Sequence, residues 1–167
     1  MDVSDAISAR RSIRKYEKRP IPEDVLDTLL DSARLAPSAN NLQRWSIIVV
    51  TSDRLKEDLV EASGDQKFVG ECSAYLVGVK EPGALYSTVD LTIALDHLSL
   101  RAVELGLGTC WIGDFEPEKV KDILKIPGER EVAICMTVGY PTSNPQARKR
   151  KGLSDLFHRD SWGSPLE

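Results

Sequence analysis

The stretch Thr88-Val-Asp-Leu-Thr-Ile-Ala-Leu-Asp-His-Leu-Ser-Leu-Arg-Ala-Val-Glu-Leu-Gly-Leu-Gly-Thr-Cys-Trp-Ile112 decides the fold. Leu91, Ala94, Leu95, Leu98, Ala102 and Leu105 recur at helical spacing, which predicts a five-turn helix from about Thr88 to Leu105. Gly106 and Gly108 stop it, and Thr109–Ile112 follows as a short strand. A helix so long and so apolar belongs at the centre of the molecule or at a subunit interface. Upstream, Ala74–Val79 and Trp45–Val50 read as buried strands from their β-branched content, with an amphipathic helix over 53–62 between them. Further back, Pro37–Asn41 is a polar loop. It follows a helix that starts at Pro22 and runs to about Leu35 on Val25, Leu26, Leu29, Leu30 and Ala33. Residues 2–9 form a short helix. Downstream lie a helix over Pro117–Leu124 and a strand over Glu131–Val138, where Val132, Ile134, Met136 and Val138 alternate. From Pro141 onward the chain is polar, basic and extended. Helices and strands alternate without a βαβ rhythm, so the expected class is α+β, a sheet flanked by helices in one domain over 1–167.

Composition narrows the function. With 167 residues, 41% hydrophobic and 29% charged, the chain can bury a core without staples. The formal net charge is −4, from 22 basic and 26 acidic residues, which argues against general nucleic-acid or membrane-surface binding. The basic residues are unevenly spread. Arg10–Arg19 and Arg148–Lys151 together hold ten cations and one acid, +9, leaving −13 on the rest. Cys72, Cys110 and Cys135 sit at no metal-ligand spacing and read as reduced, buried thiols, which points to a cytoplasmic protein with no metal site. No signal-peptide pattern opens the chain, and no apolar run approaches the ~20 residues that span a bilayer.

Four short constellations carry chemistry. Arg10-Arg11-Ser12-Ile13-Arg14 groups guanidinium forks and a hydroxyl at the end of a short helix, a donor set suited to phosphate oxygens or simply a solvated helix end. Pro37-Ser38-Ala39-Asn40-Asn41-Leu42-Gln43-Arg44-Trp45 is a turn rich in amides that runs straight into a strand. Its carboxamides can read a heterocycle, or serve as local turn-makers. The glycines of Gly106-Leu-Gly-Thr-Cys-Trp-Ile-Gly-Asp-Phe115 admit close backbone approach to a flat ligand, or make tight turns. Arg148-Lys-Arg-Lys151 is a solvated basic tail or a nucleic-acid contact. No GxGxxG, GxxxxGK[ST] or GxSxG pattern is present, so the hard chemistry of an enzyme here would come from a cofactor. His97 is expected as a packed core histidine and His158 as a surface one.

Taken in order, the four constellations resemble the nitroreductase family of FMN-dependent oxidoreductases, from about Ile7 to Leu153. The resemblance implies a mostly antiparallel central sheet flanked by helices, an interlocked homodimer, and FMN at the subunit interface. By position, Arg10, Arg11, Ser12 and Arg14 would hold the FMN phosphate, ribityl chain and part of the ring. Arg148 and Arg150 would meet the phosphate, with Lys149 and Lys151 in their place if the register slips by one. Pro37, Ser38, Ala39 and Asn41 would line the flavin from the other subunit, with Gln43 close behind. Ile112, Gly113 and Asp114 would approach the ring through backbone, and the helix over Thr88–Leu105 would form the dimer core. Two departures stand out. Arg44 occupies a position where the family usually has proline. In Gly64-Asp-Gln-Lys-Phe68, Gln66 would replace the asparagine that contacts the ring in larger members.

The implied reaction passes hydride from NAD(P)H through FMN to an electron-poor acceptor such as a nitroaromatic or quinone, in two alternating half-reactions. Chemistry resides on the flavin, and no residue is assigned as acid or base. The alternatives are flavin fragmentation or reductive dehalogenation on the same cofactor, and an FMN-storage or regulatory protein. A nucleic-acid binder with no flavin is the remaining one.

Overall fold

The computed structural model describes residues 1–166, so Glu167, the end of the expected domain, lies outside the described residues. Four strands, β1 (Trp45–Val50), β2 (Ala74–Lys80), β3 (Gly108–Ile112) and β4 (Glu131–Gly139), form one sheet in the order β1-β2-β4-β3. All three strand pairings are antiparallel. Alternation then sorts the side chains. Tyr75, Val77, Val79 and Cys135 face one core with Leu59, Val69 and Val120, while Ala74, Leu76, Met136 and Val138 face another with Leu29, Leu91, Leu95 and Leu98. Both faces of β2 are therefore covered, which is why it reads as a continuous apolar run.

The first core is roofed by α3 (Asp53–Ala62), α4 (Phe68–Glu71) and α6 (Pro117–Leu124), the second by α2 (Glu23–Arg34) and α5 (Ser87–Glu104). A Cβ on Gly78 would lie 2.7 Å from Leu91 Cδ2, so glycine at this point lets α5 settle directly onto β2. The helix α1 (Val3–Ala9) precedes the basic run, and α7 (Leu153–Leu156) lies in the tail.

The predicted elements are present, with differences of physical origin. Pro22 caps α2 from outside rather than occupying its first turn, because its ψ of 145° is extended. The short helix α4 has no sequence signal, since four residues are too few to show periodicity. Beyond Pro141 the chain is not wholly extended: Gly152 N–H donates to the Asp155 carboxylate at the start of α7, and His158 bridges Pro165. His97 is not a core histidine; it sits on the exposed face of α5 beside Asp96, and the buried stripe passes through Leu95 and Leu98. His158 is half-buried, its ring against Trp162. All three cysteines are free and buried.

Candidate functional site

Two ends of the chain meet beside β3. Ile13 N–H donates to Thr109 O at 2.9 Å, and Ser12 makes a parallel bridge with Thr109, so residues 10–14 run along the free edge of the sheet. The close fit is set by Gly108, where a Cβ would stand 2.3 Å from Ile13 Cγ1. Tyr16 is buried, its hydroxyl bonded to Ile13 O and Thr137 Oγ1 at 2.8 Å each, and burial holds its phenol well above the ordinary range. Glu17 N–H then donates to Tyr140 O and Thr142 N–H to Lys15 O, which ties the chain leaving β4 to the basic run. The following residues, 143–150, thereby return to Arg10–Arg14.

The result is a cleft of about 700 Å³ between these segments. Its cationic lining is Arg10, Arg11, Arg14, Lys15, Arg148 and Arg150, with the hydroxyls of Ser8, Ser12 and Ser143, and it contains no acidic residue. Among the described residues, none of those six cations makes an ion pair. By contrast, a cavity of about 400 Å³ elsewhere sets Lys18, Arg19 and Lys56 against Glu23, Asp53 and Glu71 and balances its charges. Six uncompensated cations around one hollow raise the local potential and select an anion. Arg11 is partly committed: Nη1 donates to Ser8 O and Arg10 O at 2.7 Å, closing the end of α1, while its buried Nε has no partner. An unpartnered donor on a residue that lines such a cleft fits a phosphate acceptor. Lys149 and Lys151 do not line the cleft, so the tail presents Arg148 and Arg150.

The other expected site residues lie elsewhere on the chain. Gly113 is exposed, and nothing stands within 4 Å of where its Cβ would be, so its backbone is open to a flat ligand. It follows Ile112 at the end of β3, about 13 Å beyond Thr109 at ordinary strand rise. Gln66 lies next to this segment, but its amide nitrogen donates to Ser63 O at 2.8 Å and Asp114 O at 3.4 Å. The side chain thus ties two loops together. The glycines have separate duties: Gly106 turns the chain at φ 72°, Gly108 admits Ile13, and Gly113 leaves open space.

Pro37, Ser38, Ala39, Asn41 and Gln43 stand at the opposite edge, where their loop enters β1. Asn40, Asn41 and Gln43 all have φ between 50° and 55°, a left-handed run rare outside glycine. Ser38 Oγ accepts from Gln43 N–H at 3.2 Å, and the Gln43 amide donates to Asn41 O and Oδ1. Three strand spacings separate β1 from β3, about 14 Å. Within one chain the loop therefore does not close the arginine cleft.

Sequence reasoning misses Lys15, Ser143 and Gln146 as lining residues. Lys15 is visible as part of the +9 cluster. Ser143 and Gln146 carry no spacing signal and enter only through the return of the chain after β4. Among the described residues no cluster of His, Cys, Asp or Glu could hold a metal ion, and no helix is long and apolar enough to cross a membrane.

Comparison with known proteins agrees with this architecture. A protein of Methanothermobacter thermautotrophicus, provisionally named NADH dehydrogenase/NAD(P)H nitroreductase, is 33% identical over 170 residues, covering 96% of this chain and 85% of its own. The crystal structure of a nitroreductase family protein from Clostridium novyi superposes with a TM-score of 0.81 at 32% identity, over 99% of this chain and 97% of that one. The NADPH:FMN oxidoreductase from Vibrio harveyi, complexed with NAD+, gives 0.90 at 25% identity over 98% and 79%. The nitroreductase family model itself matches residues 7–81 and 64–140, spanning the basic run, the amide loop and all four strands, and the chain belongs to the nitroreductase family.

Proposed function

We propose that this protein is an FMN-dependent NAD(P)H oxidoreductase that works as a homodimer in the cytoplasm. The single observation that carries the reading is the cleft of Arg10, Arg14, Arg148 and Arg150, cationic and uncompensated, lined also by Arg11, whose buried Nε has no partner. That donor set fits a phosphate monoester, and the likeness to an NADPH:FMN oxidoreductase supports FMN as the phosphate-bearing group. FMN, when bound, supplies hydride acceptance from NAD(P)H and its return to an electron-poor acceptor such as a nitroaromatic or quinone, in alternating half-reactions.

The chain's own residues do the binding and orienting. Arg10, Arg11, Arg14, Arg148, Arg150 and the Ser12 hydroxyl neutralise and fix the phosphate. The open backbone at Ile112 and Gly113 leaves room for a planar ring at the far end of β3, and Gln66 keeps the neighbouring loops in register. Pro37, Ser38, Ala39, Asn41 and Gln43 line the ring from a second copy, because in their own chain they stand at the opposite edge of the sheet. The outward side of α5, with Val89 54% exposed and Ile93 and Leu100 half-buried, is the apolar surface for that second copy.

Reconstitution tests the reading. Purified protein incubated with FMN and desalted should retain a yellow chromophore, which bleaches anaerobically on addition of NADH or NADPH and returns with a quinone. Protein that retains no FMN would overturn the flavin reading. Retained FMN that neither nucleotide bleaches would favour a storage role over a reductase.

A further inference from the structure

The loop over Pro37–Gln43 combines features that do not persist by themselves. Asn40, Asn41 and Gln43 are all held at left-handed φ without glycine, and such backbone survives only where the surroundings over-determine it. The side-chain bonds within it, Ser38 to Gln43 and Gln43 to Asn41, are local and would move with the loop. One bond reaches out of it: Ala39 N–H donates to Asp90 Oδ1 at 3.1 Å, across 51 positions of sequence. Asp90 sits in α5, only 6% exposed, and no cation pairs with it among the described residues. A buried carboxyl group without an ion pair is costly; the first turn of α5 suits its charge, and its side-chain hydrogen bond goes outside the helix, to the loop.

We propose that Asp90 is a positioning residue: from the longest helix it clamps the amide of Ala39 and so fixes the strained Ser38–Gln43 turn in the shape that meets the flavin. This rests on the flavin reading above. It assigns no chemistry to Asp90, which acts through the loop. Ser38 is already extended, at φ −139° and ψ 157°, as a residue preceding proline must be, so a proline at position 39 can delete the donor as cleanly as a change at position 90 deletes the acceptor.

The test uses Asp90→Ala and Asp90→Asn on the acceptor side and Ala39→Pro on the donor side. Two readouts are taken on the full chain: hydrogen exchange of the 37–43 amides without FMN, and FMN affinity from fluorescence quenching. Asp90→Ala should speed exchange in the loop at least tenfold while leaving the β2 and β4 amides protected, and should weaken FMN about tenfold. Asp90→Asn keeps an oxygen acceptor and should stay within about threefold of wild type in both. Ala39→Pro should likewise speed exchange of the remaining loop amides at least tenfold, a readout independent of Ala39's own place at the flavin. That readout carries the test if Asp90→Ala does not fold, unchanged exchange overturning the clamp. Unchanged loop exchange in Asp90→Ala would overturn the clamp. Faster exchange with unchanged FMN affinity would overturn its positioning role. Wild-type protein that binds no FMN would instead overturn the flavin reading, a result read before any variant is made.

Discussion

Replacing Arg148 by alanine separates a clamp from a tail. Arg148 is exposed and makes no hydrogen bond or ion pair within the described chain, yet it lines the arginine cleft from the C-terminal side. The fold therefore loses nothing by its removal, and Tm should stay within about 1 °C, as for a surface change worth under about 0.5 kcal/mol. A charge-assisted bond to a phosphate contributes about 1.5–3 kcal/mol when sheltered. For a side chain open to solvent the lower end applies, so about 1.5 kcal/mol, or roughly a tenfold rise in Kd for FMN. Arg14→Ala should cost about the same for the same reason. The double variant should fall short of the product of the two, because both guanidinium groups serve one phosphate. Raising the salt from about 0.05 to about 0.5 M should weaken wild-type binding more than that of Arg148→Ala, since fewer cations remain to be screened. Fluorescence quenching of FMN at both ionic strengths, with a thermal melt alongside, reads all of this. An Arg148→Ala protein that binds FMN with wild-type Kd would refute the placement of the tail at the phosphate. A large drop in Tm would show that Arg148 has a structural duty after all.

Other consequences follow from the packing. Gly108→Ala places a methyl against Ile13, so an overpacking cost of about 1–3 kcal/mol is expected, and Ile13→Ala in the same chain should recover part of the lost Tm. Lys56 is 4% exposed and donates to Cys72 O at 2.6 Å. Lys56→Met should leave that carbonyl unpaired and destabilise by about 1–3 kcal/mol in a urea melt. Lysine partners hold the Asp53 and Glu61 carboxyls below their ordinary values of 3.8 and 4.5, Lys56 for the first and Lys119 for the second. The unfolded chain then binds more protons near pH 4, so this stabilisation is present above the ordinary carboxyl range and is lost as pH falls through the lowered folded values. Asp53→Asn with Glu61→Gln should flatten the stability profile below about pH 5. Burial pushes the Cys72 and Cys135 thiols up to about 12 and raises Cys110 as well. A disulfide reagent at about pH 8 should therefore label none of the three thiols until denaturant is added, and rapid labelling of any one in the native protein would contradict its burial.

Periodicity in the sequence locates α5 and the strands because each carries a long or β-branched apolar pattern, and the basic runs declare themselves against an acidic background. What the sequence hides depends on contacts between distant segments. Gly108 reads as a turn or a ligand approach, but its absent side chain makes room for Ile13, far earlier in the chain. Gln66 reads as a ring donor, yet its nitrogen is spent on two backbone carbonyls. His97 falls within an apolar helix and reads as inward-facing, whereas the helical phase puts it on the exposed stripe. Asp90 gives a faint signal, an acid immediately before the buried Leu91, but its partner lies on another segment. The arginine cleft itself exists because hydrogen bonds at Lys15 and Glu17 steer the chain after β4 back along the N-terminal run, a pairing that no local pattern announces.

In the proposed dimer, one flavin site is built from the arginine cleft of one copy and the amide loop of another. Co-expression of two differently tagged chains, one carrying Arg14→Ala with Arg148→Ala and the other Ala39→Pro with Asn41→Ala, tests this most directly. In the doubly tagged dimer one site combines both defects and the other is intact. The expected result is about one FMN retained per dimer, while dimers of either variant alone retain little. Hybrid dimers that retain no more FMN than their parents would show that each site lies within a single chain.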